Sequence, residues 1–197
     1  MTFFSDRRWM LIGLAVCVLA VQIAFPGQWA LIWLPPAFAA IVLLLYRRDL
    51  SRFDWSLLKK KTFWEQVFYA VTQGIIAQAA GIVVVQYGIG IEPPALSYKL
   101  TFGVVVSVVL CSAVVEELVY RHSVFGMMKG RFGFWPAAAA SSLLFAAAHA
   151  NYAAALGYFL LGIVWCRAYA KSGTVAVPIA AHMIFNAISL IVLPLRG

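Results

Sequence analysis

Two adjacent glutamates interrupt an apolar run in the stretch SAVVEELVYRHSVFG, residues 112–126. On a helix, the side chains of Glu116 and Glu117 point about 100° apart, whereas Glu117 and Arg121, at i and i+4, share a face. We therefore expect Glu117 to pair with Arg121 and to stay ionised. Glu116 then points elsewhere, and a lone carboxyl in a low-dielectric cavity can act as a general base or acid near neutral pH.

Three further polar side chains lie in apolar stretches of the second half of the chain. His149 closes SSLLFAAAHANY, and His182 and Asn186 lie at i and i+4 in VPIAAHMIFNAISL, so they share a helix face. Together with the glutamates they could activate water and stabilise an oxyanion. The plainer alternatives are a solvated helix end for the glutamates, an interfacial His149 and a hydrogen-bonded core histidine at 182.

The composition defines the elements that must position these groups. The 197 residues are 64% hydrophobic and only 11% charged, which predicts an all-α, polytopic transmembrane helical bundle. The net charge of +8 would suggest nucleic acid in a soluble protein, but here loop cations explain it, so no nucleic-acid partner is expected. The lipid bilayer of a bacterial-type inner membrane is the expected surrounding.

About seven spans are expected, since a bilayer-crossing helix needs about 20 apolar residues. They are Trp9–Phe25, Trp29–Tyr46, Val67–Tyr87, a long span from about Leu100, Trp135–Ala150, Tyr152–Ala170 and Thr174–Leu193. Pro26-Gly27 and a loop containing Pro93-Pro94 separate neighbouring spans. An N-in, C-out topology puts 13 of the 15 Lys and Arg residues inside, leaving Lys99 and Arg196 outside.

The fourth span is expected to run past Tyr120, because nothing after it breaks a helix before Gly130. A span from about Ser107 to Met128 places both glutamates near its middle, where charges cost about 2.5–3.5 kcal/mol each and suggest function. Counting about 1.5 Å per residue places His149 about 20 Å above Trp135, nearer the outer face than the glutamates. A fifth helix that starts inside the membrane, or a strong tilt, is then needed to bring them together.

Three ordered motifs resemble those of the CAAX-protease and bacteriocin-processing family, also called Abi, which includes the type II CAAX prenyl endopeptidases. They are EExxxR at Glu116–Arg121, FxxxH at Phe145–His149 and HxxxN at His182–Asn186. The resemblance covers residues 100–193, the expected catalytic core of a single integral-membrane domain over 1–197. It implies an intramembrane glutamic-type endopeptidase.

The resemblance also implies a role for each motif residue. Glu116 would be the base that activates water, with His149 also holding that water, and His182 and Asn186 would stabilise the tetrahedral oxyanion. Three further residues would support the site: Glu117 and Arg121 by orienting it, and Phe145 by packing beneath it. The family was formerly regarded as metal-dependent. No metal cofactor is expected, but His and Glu are good zinc ligands, so zinc stays an alternative.

The resemblance implies cleavage near the C-terminus of a membrane-anchored or lipidated protein or peptide substrate. The absence of extra domains favours the small C-terminal sorting proteases, the myxosortase-like group, by analogy. Two other classes of function stay open. One is a non-enzymatic bacteriocin self-immunity or peptide-binding membrane protein, and the other is a small transporter with a proton-carrying carboxylate at Glu116.

Overall fold

A computed structural model describes residues 2–25, 27–92 and 99–192, except for the side chains of residues 2–6. All regular structure in these ranges is helical. The helices are α1 (Thr2–Ala24), α2 (Gln28–Leu45), α3 (Arg47–Ser51), α4 (Lys61–Val83), α5 (Phe102–Phe132), α6 (Phe134–Ala148), α7 (Ala155–Ser172) and α8 (Ala176–Val192). A π-helical turn, Val84–Ile89, extends α4, and 3₁₀ turns cover Trp55–Lys59 and Tyr152–Ala154.

Each predicted span contains one helix, which confirms the all-α membrane bundle. Five segments are long and apolar enough to cross a bilayer: Arg7–Ala24, Gln28–Leu45, Lys61–Ile89, Phe102–Phe132 and Tyr152–Ser172. The helices α6 and α8 have 15 and 17 residues. They are therefore about 22 and 25 Å long, against about 30 Å of hydrocarbon. The predicted turn residue Pro26, the Pro93-Pro94 pair, Leu193 and Arg196 lie outside the described residues.

Most exposed aromatic side chains lie near the two ends of the bundle, as expected at two membrane interfaces, whereas Trp33, Phe68 and Tyr69 are exposed farther along α2 and α4. At the end where α5 stops and α6 starts, called the basic end here, the exposed aromatics are Trp9, Trp55, Trp64, Phe132 and Trp135. At the opposite end they are Phe25, Trp29, Tyr87, Phe102 and Tyr152. The basic end also holds an ion pair between Arg7 and Asp49, 2.6 Å apart, which ties α1 to α3.

The central element is α5, which continues well past Tyr120 to Phe132, as predicted. Buried and half-buried residues alternate along 113–125, because other helices cover more than one of its faces. Its contacts include α1, α2, α6 and α8. Glu116 lies near the middle of this 31-residue segment.

A hairpin at Gly133 explains how His149 reaches the depth of the glutamates. Gly133 has φ +81°, a conformation that favours glycine, and it joins α5 to the antiparallel α6. Positions equally distant from such a turn lie side by side. Arg121 and Phe145 are each twelve residues from Gly133, and Glu117 and His149 are each sixteen. Counted from this turn, Glu117 and His149 therefore lie at the same depth in the bundle.

Close helix contacts set the position of α7. A Cβ on Gly81 of α4 would overlap the backbone of Gly157 in α7, and a Cβ on Gly162 would lie 2.6 Å from the Ser142 hydroxyl oxygen of α6. Small residues allow such approach between membrane helices. The resulting core joins α4, α6, α7 and α8 and contains the fully buried Phe145 and Trp165.

Candidate active site

The first motif lies in a stretch of α5 with π-helical geometry. Residues Glu117–Phe125 form a nine-residue π-helix, in which backbone bonds join residues five apart. The Ser123 hydroxyl follows the same spacing and donates to the Leu118 carbonyl at 2.9 Å. The neighbouring α6 is tied to this stretch by the Ser141 hydroxyl, which donates to the Tyr120 carbonyl at 2.7 Å. Extended π-helices are rare and frequently accompany functional sites.

Glu117 and Arg121 form a fully buried ion pair. Arg121 Nη1 lies 3.1 Å from Glu117 Oε1, and both side chains are 0% exposed. The distance is that of an ion pair, although the guanidinium N–H groups do not point at the carboxylate with hydrogen-bond geometry. The guanidinium also lies over the ring of Phe145, with Cζ 4.3 Å from the ring centroid. This geometry matches the i and i+4 pair expected from the sequence.

His182 joins the two glutamates from the facing helix α8. Its Nδ1 lies 2.8 Å from Glu117 Oε1, and its Nε2 lies 3.8 Å from Glu116 Oε2. Because a carboxylate can only accept, Nδ1–H donates to an ionised Glu117. The contact with Glu117 is the one part of this arrangement that sequence reasoning missed, since it assigned His182 only to the oxyanion.

Glu116 differs from its neighbour in the way that the helix geometry requires. Its side chain is 24% exposed, whereas that of Glu117 is fully buried. Its Oε2 atom is nevertheless buried, and it has no hydrogen-bond partner among the described residues. Glu116 therefore presents a carboxylate oxygen that is shielded from solvent and free for a ligand, a few ångströms from an imidazole.

His149 reaches the same cluster through ring contacts. It caps the end of α6, where its Nδ1–H donates to the Phe145 carbonyl at 2.8 Å. The Phe145 ring packs against both histidines, with its centroid 4.5 Å from that of His149 and 5.9 Å from that of His182. Phe145 therefore contacts His149, His182 and Arg121.

Both imidazoles are consequently held through Nδ1. A neutral His149 that donates from Nδ1 to a carbonyl keeps the Nε2 lone pair free to accept, and the same holds for a neutral His182. Such fixation by a second partner sets which nitrogen faces a reacting group. In the structure this leaves the Nε2 atoms of both rings for chemistry.

Asn186 lies apart from this contact network. Its Nδ2 donates to the Val108 carbonyl at 3.0 Å, which ties α8 to α5 at a level two helical turns before Glu116. The amide has a second N–H, for which no partner is described. The structure thus brings the two glutamates, Arg121 and His182 into direct contact. Asn186 lies farther from the basic end of the bundle than these residues do.

Two aromatic residues of α7 that the sequence reasoning did not identify support the histidines. Tyr158 stacks on His149, with centroids 4.0 Å apart and planes 27° apart. Trp165 stacks on His182 at 5.8 Å and 26°. They are seven residues apart and so lie on one face of α7, a spacing that could have identified them as a pair facing the site.

The described residues contain no group of three or more His, Cys, Asp or Glu side chains arranged to hold a metal ion. The two histidine Nδ1 atoms are already bound to Phe145 and Glu117. The donors present therefore do not fit a zinc site, which usually has three or four protein ligands.

Comparisons with known proteins bear on the same half of the chain. Residues 98–188 match the family described as "Type II CAAX prenyl endopeptidase Rce1-like". The chain is also 32% identical over 73 residues to the "Putative membrane peptidase YdiL" of Bacillus subtilis (strain 168). That match covers 37% of this chain and only 30% of the length of the relative. No solved structure matches the chain significantly.

The matched region contains all three motifs, and the apolar helices make the chain a multi-pass protein of the cell membrane. The fold, the order of the motifs and the match over 98–188 agree with one another. The three motifs and the family match therefore fall in the same half of the chain, which supports the predicted resemblance to the CAAX-protease and bacteriocin-processing family.

Proposed function

We propose that this protein is an intramembrane endopeptidase of the CAAX type, with residues 100–193 as its catalytic core. The observation that carries the proposal is the unpartnered Glu116 carboxylate oxygen 3.8 Å from His182 Nε2, in the middle of a membrane helix. A charged group at this depth is costly to insert into the membrane, and its presence there therefore indicates a function. The family match supplies the reaction class, which is hydrolysis of a peptide bond.

Glu116 acts as the general base in this proposal. Its free Oε2 accepts a proton from a water molecule, whose oxygen attacks the carbonyl carbon of the scissile bond. His149 accepts a hydrogen bond from the same water through Nε2, since its Nδ1–H is held by Phe145. The proton on Glu116 then passes to the leaving amine, which restores the carboxylate.

His182 and Asn186 stabilise the oxyanion of the tetrahedral intermediate. A protonated His182 donates Nδ1–H to Glu117 and has Nε2–H directed toward the reacting centre. Asn186 contributes the N–H that is not used by the Val108 carbonyl. This second contribution requires substrate to reach toward the level of Val108.

Glu117, Arg121 and Phe145 position these groups. The ionised Glu117 holds the His182 ring, Arg121 balances the buried negative charge, and the Phe145 ring packs against both imidazoles. These three residues need not contact the substrate.

The proposed substrate is a membrane-anchored or lipidated protein that is cut near its C-terminus. A site inside the bilayer is accessible to a peptide that is itself held in the membrane. By analogy with other proteases that cut membrane-anchored C-terminal segments, we propose C-terminal sorting of the myxosortase-like kind as the process that this cleavage serves.

Purified full-length protein in detergent, incubated with fluorogenic peptides that carry hydrophobic C-terminal tails, tests the proposal. We expect cleavage by the wild type and its loss in E116Q, whereas E65Q, which changes an exposed glutamate of α4, keeps full activity. Cleavage should survive chelation of metals. Undiminished cleavage by E116Q would refute the mechanism.

Variants that bind peptide and give self-immunity while cleaving nothing would instead favour the non-enzymatic alternative. That outcome requires protection to persist in both E116A and H149A. Flux driven by a pH gradient in liposomes, abolished by E116Q, would favour the transporter.

A further inference from the structure

A cavity that lies outside the candidate active site opens at the basic end of the bundle. Its volume is about 210 Å³, and its wall consists of Arg8, Phe125, Gly126, Lys129, Tyr169, Ala170 and Gly173. These residues come from the start of α1 and from the ends of α5 and α7.

Among the residues with described side chains, the charged groups of the cavity wall are both positive. They are Arg8 and Lys129, and no Asp or Glu of that part of the chain lines the cavity. The nearby Asp49 is engaged by Arg7 at 2.6 Å. Lys129 is exposed, so the cavity reaches the surface of the protein.

Arg8 is the residue that requires an explanation. It is only half-exposed, and its Nε is buried with no hydrogen-bond partner within the described parts of the chain. A guanidinium offers five donors, and a buried donor without an acceptor destabilises the folded protein. The other end of this guanidinium borders the cavity, because Arg8 Nη1 would lie 3.8 Å from a Cβ on the lining residue Gly126, and an acceptor in the cavity can bind it there.

We propose that this cavity binds the phosphate group of an anionic phospholipid. A guanidinium matches the oxygens of a phosphate in a two-point contact, and an ammonium such as that of Lys129 adds a point charge. Basic pockets between membrane helices bind lipid headgroups in this way.

The position of the cavity selects a lipid over a soluble phosphate. Arg8 is followed directly by the exposed Trp9, and α5 ends after Lys129 at the exposed Phe132. Exposed aromatics at helix ends mark the depth of the headgroups. A phosphate held there can keep its acyl chains along the apolar outer surface of the bundle.

The test measures retention of phosphatidylglycerol by full-length protein reconstituted with phosphatidylcholine and phosphatidylglycerol, using native mass spectrometry after mild delipidation. We expect the wild type to retain phosphatidylglycerol preferentially and to melt at a higher temperature in its presence. Each basic residue near an anionic lipid contributes about 1 kcal/mol, so R8Q or K129Q should weaken binding about fivefold. The double variant should weaken it about 25-fold if the two effects add.

Two further variants separate this site from general surface charge. R131Q removes an exposed cation of the same helix end that does not line the cavity, and it should leave retention within about twofold of wild type. G126L keeps every charge but fills the cavity: a Cβ there would lie 3.8 Å from Arg8 Nη1 and 3.4 Å from the Arg121 carbonyl oxygen, without overlap. G126L should therefore lose phosphatidylglycerol while remaining folded, since leucine is a better helix former than glycine.

Three results would overturn the proposal. They are equal retention of phosphatidylcholine and phosphatidylglycerol by the wild type, unchanged retention in both R8Q and G126L, and a loss in R131Q as large as that in R8Q. Equal stabilisation by inorganic phosphate or glycerol phosphate at the same concentration would show a soluble ligand and would refute the lipid source.

Discussion

The buried Glu117–Arg121 pair predicts that removing either partner lowers the free energy of unfolding, and that the two losses are unequal. Replacing Glu117 by Gln strands a guanidinium that cannot lose its proton in a protein. Its remaining described contacts are two aromatic rings, Phe145 at 4.3 Å and Tyr120 at 5.9 Å, and neither ring carries a neutralising charge. Replacing Arg121 by Met strands a carboxylate that still has His182 Nδ1 at 2.8 Å and can also take up a proton. We therefore expect E117Q to be more destabilising than R121M.

The expected magnitudes follow from full burial. Removing one partner of a buried ion pair costs about 3–5 kcal/mol, and we place E117Q in this range. R121M should cost at least about 1 kcal/mol less. The double variant E117Q/R121M leaves no stranded charge in this pair, so its cost should be lower than the sum of the two single costs by about 1–3 kcal/mol.

The chain provides a matched control in the Lys61–Glu65 pair. It has the same i and i+4 spacing and a distance of 3.5 Å, but its side chains are 90% and 58% exposed. E65Q should therefore change the free energy of unfolding by no more than about 0.5 kcal/mol. Because both pairs have the same helical spacing, the difference between the free-energy changes of E117Q and E65Q measures the effect of burial.

Reversible unfolding in mixed micelles of neutral detergent and sodium dodecyl sulfate measures all five proteins. The reasoning is refuted if R121M is as destabilising as E117Q, or if the two single costs simply add. A cost for E65Q equal to that for E117Q would show that burial plays no part.

Three further predictions concern packing, positioning and the oxyanion. G81A should lower the free energy of unfolding by about 1–3 kcal/mol, because its Cβ would overlap the backbone of α7. G13A has open space around its Cβ and should be neutral or stabilising. Equal effects of the two substitutions would contradict the close contact of Gly81 with α7. Y158L should lower peptide cleavage by about tenfold to a hundredfold with little change in substrate KM, and Y158F, which keeps the ring on His149, should stay near wild type. N186A should lower kcat by about 10²–10³-fold if its free N–H reaches the oxyanion, whereas a loss of about 1 kcal/mol of stability with unchanged kcat would reduce its role to the bond with Val108.

The local sequence pattern was sufficient to predict the membrane helices and one contact of the candidate site, the pair of Glu117 and Arg121. The apolar runs predicted seven helices, and the lack of a helix breaker between Tyr120 and Gly130 predicted the length of α5. The i and i+4 spacing predicted that Glu117 faces Arg121 and that Glu116 does not. These features depend on residues within one or two turns of each other, so the sequence alone contains the information.

The tertiary structure decided how the three motifs meet. Glu117 binds His182 across 65 positions of the chain, and Asn186 binds Val108 across 78. The turn at Gly133 matches the depth of His149 to that of Glu117, and the contact of Gly81 with Gly157 brings α7 close to α4. Such contacts depend on where helices cross and how closely their backbones approach, which periodicity does not encode.

Some features of the candidate site therefore follow from the sequence alone, and others depend on the tertiary structure. The residue types, their order along the chain and the separation of the two glutamates follow from the sequence, because a helix fixes the angle between neighbours. Which imidazole nitrogen faces Glu116, which rings stack on the histidines and which cations share a cavity at the basic end depend on packing between distant segments. In this protein, the geometry of each helix determines the directions in which its site residues point, and the packing of the helices determines which residues they contact.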